Sequence, residues 1–380
     1  PAFSRILLLV LAALTASPAW MPRPQIFSFL LLAFLDLWLY KVKLGKKRNF
    51  WLLIPLFVLW ANLHGGYIWG ILLLIAMMVG ELFNHWLGDE TQKENTLTLP
   101  ELKKLLAFTG LAYLAILINP SGIKLWRLPF RTVDVSLFIT EWLSPDFHEL
   151  SFNPVLWMLF LFILALANNS RRLEYGSLFK VLGFAYLTFF SQRNVAPFAI
   201  ILLPVLSREI SRFLDSEVNP RVLKFHSKSS LFQSKALPEK STYLINGIFI
   251  VFVGLIAVIR LYDLTRPVKV DAEYPIEAVS WIRDNQPDGR IFNSYNWGGY
   301  LIWALPEMPV FIDGRADLYG KDIIYQWNDV VNGGDDAQDI LDKWGVNLVF
   351  LEPYWGVVSE LEQYGWKLSY QDENSVIYTR

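Results

Sequence analysis

Isolated polar side chains stand between long apolar runs in this chain, and their types are those that hold anions and hydroxyl groups. Arg23 and Gln25 lie between the first two runs, and Asn62 and His64 sit in Trp60-Ala61-Asn62-Leu63-His64-Gly65-Gly66. Asn119 opens the stretch Asn119-Pro120-Ser121-Gly122, and Arg193 and Asn194 follow Gln192. Guanidinium groups grip phosphate or carboxylate through paired N–H donors, and amides and imidazole also serve sugar hydroxyls. Polar groups at membrane depth are costly, so their placement carries information. A single Arg193 between two apolar runs needs a partner or a lipid phosphate. The plainer readings stay beside these. Gly65-Gly66 also suits a tight turn capped by Asn62 or His64, and Asn119-Pro120 also serves as a helix stop.

Acid–base chemistry has candidates between Asn119 and Asn153, where Glu141, Asp146 and His148 fall close together. A carboxylate or imidazole there can take a proton from a reacting hydroxyl, although solvated loop charges are equally ordinary. A second polar concentration lies towards the C-terminus. It comprises Asn296 in Asn293-Ser294-Tyr295-Asn296-Trp297-Gly298-Gly299-Tyr300, and Asp313, Arg315 and Asp317 in Phe311-Ile312-Asp313-Gly314-Arg315-Ala316-Asp317-Leu318-Tyr319-Gly320. In each, an expected strand ends in a glycine-containing turn, the edge at which α/β sheets usually place ligand contacts. Asp313 and Arg315 are also near enough to pair with each other, and an Asp-Gly turn needs no ligand to explain it.

These residues need elements to position them, and the composition says which kind. Of 380 residues 54% are hydrophobic and 18% charged, with a mean hydropathy of +0.33, whereas a soluble domain carries about 25% charged residues. The absence of cysteine excludes disulfides, thiolate metal sites and a cysteine nucleophile, and the four histidines share no close spacing. Apolar runs near 3–20, 25–40, 50–63, 66–86, 104–118, 154–168, 178–191, 194–207 and 243–262 lead us to expect about nine membrane spans. Basic residues gather in alternate loops, among them 41–49, 87–103, 169–177 and 208–242. The positive-inside rule puts these in the cytoplasm and residues 263–380 outside. The expected organisation is therefore a polytopic α-helical membrane protein over residues 1–262, with a C-terminal extracytoplasmic α/β domain over 263–380. Loop 119–153 suits an outer amphipathic segment and 208–242 a cytoplasmic linker.

Residues 263–380 hold 9 basic and 20 acidic side chains and residues 1–262 hold 25 and 15. That acidity argues against nucleic acid as a partner. No GxGxxG or GxxxxGK[ST] loop occurs, so a nucleotide-binding reading lacks its phosphate cradle. In the tail, Arg290–Asn293, Val310–Asp313 and Val346–Leu351 read as strands, with a strand pair around 367–370 and 375–379. Segments 276–285, 322–331, 335–343 and 357–364 read as helices. The chain opens on proline and enters an apolar run almost at once, which reads as a piece whose N-terminus lies upstream.

The order of features resembles the GT-C class of membrane glycosyltransferases: many spans, an outer amphipathic loop, then an outer C-terminal domain. The segment from Ala278 to Ile302 is similar to the stretch leading into the WWDYG motif of oligosaccharyltransferase catalytic subunits, with Asn296 where that motif has a carboxylate. The blocks Arg23-Pro24-Gln25, Trp60 to Gly66 and Asp313-Gly314-Arg315-Ala316-Asp317 also resemble poorly characterised bacterial membrane proteins assigned to that class. The resemblance implies hexosyl or pentosyl transfer from a polyprenyl-phosphate-linked sugar to a glycan, lipid or protein acceptor, on the outer face of the cytoplasmic membrane. It implies Arg23 and Arg193 at the donor phosphate, and Gln25, Asn62, His64, Asn119 and Asn194 lining the cavity. Glu141, Asp146 and His148 become auxiliary bases, the main base lying in a first outer loop upstream of residue 1. Asn296, Asp313, Arg315 and Asp317 would close over the acceptor. A divalent metal, Mg or Mn, is used by some members, and Asp146 and Glu141 could hold it. Two other functions fit the same features: a lipid-linked glycan polymerase, ligase or transporter, and a non-enzymatic scaffold that binds a partner through the acidic tail.

Overall fold

The structure is a computed structural model, and it describes residues 2–21, 23–45, 49–90, 92, 96–126, 140–169, 172–213, 251, 255 and 274–380. The chain divides into two compact units, Pro1–Arg127 with Ile139–Leu244, and Leu128–Phe138 with Ile245–Arg380. The expected division at residue 262, the expected span at 243–262, most of the linker 208–242 and the centre of the loop 119–153 lie outside the described residues.

The first unit is helical. Its helices are α1 (Ala2–Ala16), α2 (Gln25–Leu44), α3 (Leu53–Leu63), α4 (Tyr67–Leu87), α5 (Leu99–Ala115), α6 (Asn153–Asn168), α7 (Tyr175–Phe190) and α8 (Val195–Phe213). The local chemistry explains several boundaries. Thr98 and Glu101 form a capping box at the start of α5, with Pro100 in its first turn. Gly45 and Gly88 follow the last turns of α2 and α4. Apolar side chains dominate the interfaces, with Leu32, Leu35, Phe57, Trp60, Leu73, Phe184 and Phe198 at most 1% exposed. The closest approach is between α4 and α7, where a Cβ on Gly80 would stand 2.3 Å from the Gly176 Cα. Helices α2 and α4 run the same way, because Ser28 near the start of α2 meets Gly66 at the start of α4. Helix α8 runs with them, since Trp69 on the first turn of α4 reaches Asn194 just ahead of α8. The shorter helices return the chain between them.

This geometry corrects the expectation of about nine spans. Among the described residues three helices are long and apolar enough to cross a membrane: Gln25–Leu44, Tyr67–Leu87 and Gln192–Phe213, the last being α8 with the 3-10 turn before it. Segments Arg5–Ala19, Leu53–Leu63, Asn153–Asn168 and Tyr175–Phe190 are apolar but shorter. At 1.5 Å per residue, helices of 11 to 16 residues reach about 16–24 Å, against a hydrocarbon core of roughly 30 Å. Runs such as 50–63 and 178–191 are already shorter than a crossing needs, and the helices formed there, Leu53–Leu63 and Tyr175–Phe190, stay short.

The second unit is built on a four-stranded sheet in the order β1 (Arg290–Asn293), β2 (Val346–Leu351), β4 (Val376–Thr379), β3 (Lys367–Gln371). The β1–β2 pair is parallel and the other pairs are antiparallel. Both faces are covered, so β2 has no polar face to show. Ile291, Leu348, Phe350 and Ile377 point to one side, against Val279 and Ile282 of α9 (Ile276–Asn285) and Leu301 of α10 (Gly298–Ala304). Phe292, Val349, Leu351 and Val376 point to the other, with Val330 of α11 (Ala316–Val331) and Leu341 of α12 (Ala337–Lys343). This is the two-residue alternation of a pleated strand.

Two tail expectations change. Val310–Asp313 is not a strand of the sheet. The Asn293 side chain instead accepts from the Phe311 N–H at 2.8 Å and donates to the Ile312 carbonyl at 2.9 Å, doing what a neighbouring strand would do. The segment 357–364 forms two 3-10 turns, Gly356–Ser359 and Leu361–Tyr364, rather than one helix.

Candidate functional site

The polar residues of the helical unit gather at the end where α2, α4 and α8 begin. Arg23, one residue before the Pro24 that caps α2, forms an ion pair with Glu141. Arg193, in the 3-10 turn between α7 and α8, approaches the same carboxylate at 3.5 Å. Its guanidinium also lies over the Trp142 ring, 4.7 Å from the centroid. Backbone bonds fix the two segments together: Gln192 N–H donates to the Leu143 carbonyl at 2.9 Å and the Ser191 hydroxyl to the Glu141 carbonyl at 3.0 Å. Among the described residues one carboxylate thus meets two guanidiniums, one of them stacked on an aromatic ring, all half-exposed.

Beside this triad is an ordered hydrogen-bond chain. The Trp60 indole N–H donates to Ser28 Oγ at 2.8 Å, and Ser28 Oγ stands 2.8 Å from His64 Nδ1. The Gly66 N–H also donates to that nitrogen, at 3.0 Å. Because Nδ1 meets two donors, the imidazole is neutral and its proton sits on Nε2. Burial pushes the His64 pKa down, and the positive charge of Arg193 adds to the effect. Gly66 is required here: a Cβ would fall 2.4 Å from Ser28 Oγ. Asn194 completes the layer by accepting from the Trp69 indole at 2.9 Å while donating to the Leu187 carbonyl.

The structure therefore brings Arg23, Glu141, Arg193, His64 and Asn194 to one end of the unit. The other expected cavity residues have local work. Gln25 donates to the Ala19 carbonyl at 3.0 Å and ties the α1–α2 turn. Asn62 donates to the Val58 and Ile118 carbonyls, joining α3 to the end of α5. Asn119 accepts from the Ser121 N–H at 2.7 Å, an Asx turn. Asp146 and His148 bind each other at 3.0 Å on an exposed turn, and the His148 hydrogen bonds hold the Asp146 carboxyl below its usual range. Among the described residues no three carboxylate, imidazole or thiol groups converge. Glu141 carries two guanidiniums, and Asp146 is bound to His148.

In the second unit, the Asp313 carboxylate accepts from Arg315 Nε at 2.9 Å, from the Arg315 N–H at 2.8 Å and from the Tyr319 hydroxyl at 2.7 Å. These bonds hold its pKa at about 2, the Arg315 side chain being the main cause. Tyr319 is pushed up to about 12, by burial first and then by the same carboxylate. The local pair is thus formed, and Asp313 is committed within its own turn. Gly298 packs on that turn, where a Cβ would stand 2.2 Å from the Ile312 carbonyl, so the two tail motifs meet. Asn296 is exposed at the rim beyond β1, and Asp317 falls in α11.

Sequence reading missed a second cluster at the opposite end of the helical unit. Lys43 near the end of α2 pairs with Glu81 of α4 and with Glu174 just ahead of α7. Lys180 binds Asp36 at 2.7 Å, and Glu81 also accepts the Leu97 N–H at 2.7 Å. Arg208 donates to Ser177 at 2.8 Å. The signal was present as ionisable residues inside otherwise apolar runs, Asp36, Glu81 and Lys180 among them.

Comparison with known protein families finds none that matches this chain, and comparison with curated proteins finds no relative.

Proposed function

We propose that this chain is a membrane glycosyltransferase that moves a sugar from a polyprenyl-phosphate donor to an acceptor. One convergence carries the reading: Arg23 and Arg193, far apart in sequence, meet on Glu141 at one end of a bundle containing three helices suited to a bilayer. Two guanidiniums set around one carboxylate bring together paired N–H forks of the kind that grip a phosphate. The resemblance to GT-C enzymes supplies the sugar chemistry. Loops rich in Lys and Arg, such as 41–49, place the opposite end of these helices in the cytoplasm by the positive-inside rule. The arginine end of these helices then faces outward from the cytoplasmic membrane.

In the transfer, the acceptor oxygen bonds to the anomeric carbon as the bond from that carbon to the phosphate oxygen breaks. The electron pair leaves with the polyprenyl phosphate, whose charge Arg23 and Arg193 stabilise. The acceptor proton passes to a carboxylate. Glu141 suits that step, because a phosphate entering between the arginines competes with its ion pairs and releases its oxygens. The Nε2–H of neutral His64 offers a hydrogen bond to a sugar hydroxyl in the same layer.

The test is turnover of a polyprenyl-phosphate monosaccharide by the purified chain in lipid nanodiscs. Arg193→Ala and Arg23→Ala should each lower transfer by about 10²–10³-fold while insertion and thermal unfolding stay close to wild type. Unchanged turnover in Arg193→Ala would overturn the assignment. Turnover of a lipid-linked oligosaccharide alone would move the function to a polymerase or ligase.

A further inference from the structure

The second unit contains a cavity of about 620 Å³ that none of the chemistry above uses. It opens at the C-terminal ends of β1 and β2, which are parallel neighbours, with Asn293 opposite Phe350. Glu352 follows directly on β2, and Asn296 follows β1. The β3–β4 turn reaches the same edge, because Val376 pairs with Leu351, and it brings Glu373 and Asn374 to the rim. Tyr274 and Tyr354 supply the aromatic walls. The crevice beyond the carboxyl ends of parallel strands is where open α/β sheets bind ligands, and the volume lies in the usual range for small-molecule sites, roughly 300–1,000 Å³.

We propose that this cavity is a saccharide-binding site for a neutral or amino sugar. Three observations select that class. Among the described residues the lining holds carboxylates, amides and phenols but no lysine, arginine or histidine, a set that disfavours phosphates and acidic sugars. Tyr354 is 72% exposed with its neighbour Trp355 ring 5.3 Å away, an aromatic platform of the kind that covers the C–H face of a pyranose. Glu352 is held in one orientation: Oε1 accepts from the Ser294 hydroxyl at 2.8 Å and Oε2 from the Trp355 indole at 2.7 Å. A carboxylate fixed on both oxygens still has lone pairs for the hydroxyls of a sugar. A hard cation, by contrast, takes six to eight oxygens, and among the described residues two carboxylates line this cavity. The site does not rest on the donor chemistry of the transferase reading, whose groups Arg23, Arg193 and Glu141 lie in the helical unit.

The experiment is saturation-transfer difference NMR on the full chain in nanodiscs. The probes are glucose, mannose, galactose and N-acetylglucosamine, with glucose 6-phosphate as the charged comparator. At least one neutral probe should show transfer to its ring C–H protons, and glucose 6-phosphate should show none. Tyr354→Ala alters an exposed side chain and should weaken that binding about tenfold or more; Glu352→Gln keeps the Ser294 bond and should do the same. Arg193→Ala, which disables the proposed donor site, should leave the signal unchanged. No transfer to any neutral probe, preference for glucose 6-phosphate, or a signal that survives both Tyr354→Ala and Glu352→Gln would overturn the proposal. Signal loss on adding Ca²⁺ or Mn²⁺ together with direct ion binding that Glu352→Gln abolishes would overturn it in favour of a cation site.

Discussion

The two ends of the helical unit use the same residue types for opposite ends. Where α2 and α4 begin, Arg23, Arg193 and Glu141 are 49%, 30% and 33% exposed in their side chains. Where those helices finish, Lys43 is 11% and Glu81 1% exposed. There, three acidic and three basic side chains, Asp36, Glu81, Glu174, Lys43, Lys180 and Arg208, surround a cavity of only about 60 Å³. A buried, balanced network repays its desolvation only through its own pairs, so it locks helices together and has nothing left for a ligand. A half-exposed cluster costs little to open. Charged residues at the two ends of this bundle therefore differ in burial more than in identity.

The largest expected effect tests the lock. Glu81→Ala removes a buried carboxylate from Lys43 and an acceptor from the Leu97 N–H, and should cost roughly 3–5 kcal/mol, read as a fall in unfolding temperature in detergent. Glu141→Ala at the other end should cost under about 1 kcal/mol. Equal losses at both ends would erase the distinction. A sharper form pairs Lys43→Met with Glu81→Leu, which should recover most of the stability that Glu81→Ala loses.

Next in size is the contact that sets the spacing of the lock. Gly80→Ala places a methyl against the Gly176 backbone and should cost about 1–3 kcal/mol, whereas Gly183→Ala, with open space around it, should cost under about 1 kcal/mol. Similar unfolding temperatures for the two variants would mean that α4 and α7 can slide apart.

Smaller effects come from titration. His64 has a lowered pKa in the folded chain, so its neutral form contributes stability that is complete above the ordinary imidazole value. That contribution declines as pH falls below it. His64→Gln should remove the part of the unfolding-temperature slope that lies below pH about 6.5; an unchanged slope would place the dependence elsewhere. In the C-terminal unit, Asp313 titrates at about 2. Its stability contribution is held above the usual carboxylate value near 4 and is lost as pH falls from about 4 to about 2. Asp313→Asn should flatten acid unfolding over that interval, and wild-type behaviour would mean that Arg315 contributes nothing there.

Much of the individual chemistry could be read from the residues. Arg193 stood out because it interrupts apolar sequence, and Glu141 because it is a carboxylate among aromatics. The strands at 290–293 and 346–351 showed themselves by short β-branched and aromatic runs, and they are observed at those residues. Other features left no trace. The number of crossings was hidden because a short apolar run such as 50–63 or 178–191 looks the same whether its helix crosses a bilayer or only packs within the bundle. Asn62 and Asn119 had the types of ligand-binding amides, yet their side chains are taken up by carbonyls and a turn N–H. Glu352 drew no notice in the sequence, and its orientation depends on Ser294 and Trp355.

The amino-acid order by itself determined the apolar character of the first unit, the acidic balance of the second, and the supply of arginines, carboxylates and aromatics. These follow from composition and local periodicity, which act within a few residues of chain. Only the tertiary structure decided that Arg23 and Arg193 share one carboxylate 118 residues from the first of them, and that Lys43 is buried against Glu81 instead of reaching solvent. Coulombic and hydrogen-bond energies depend on distance and burial, and neither quantity exists until distant helices have packed.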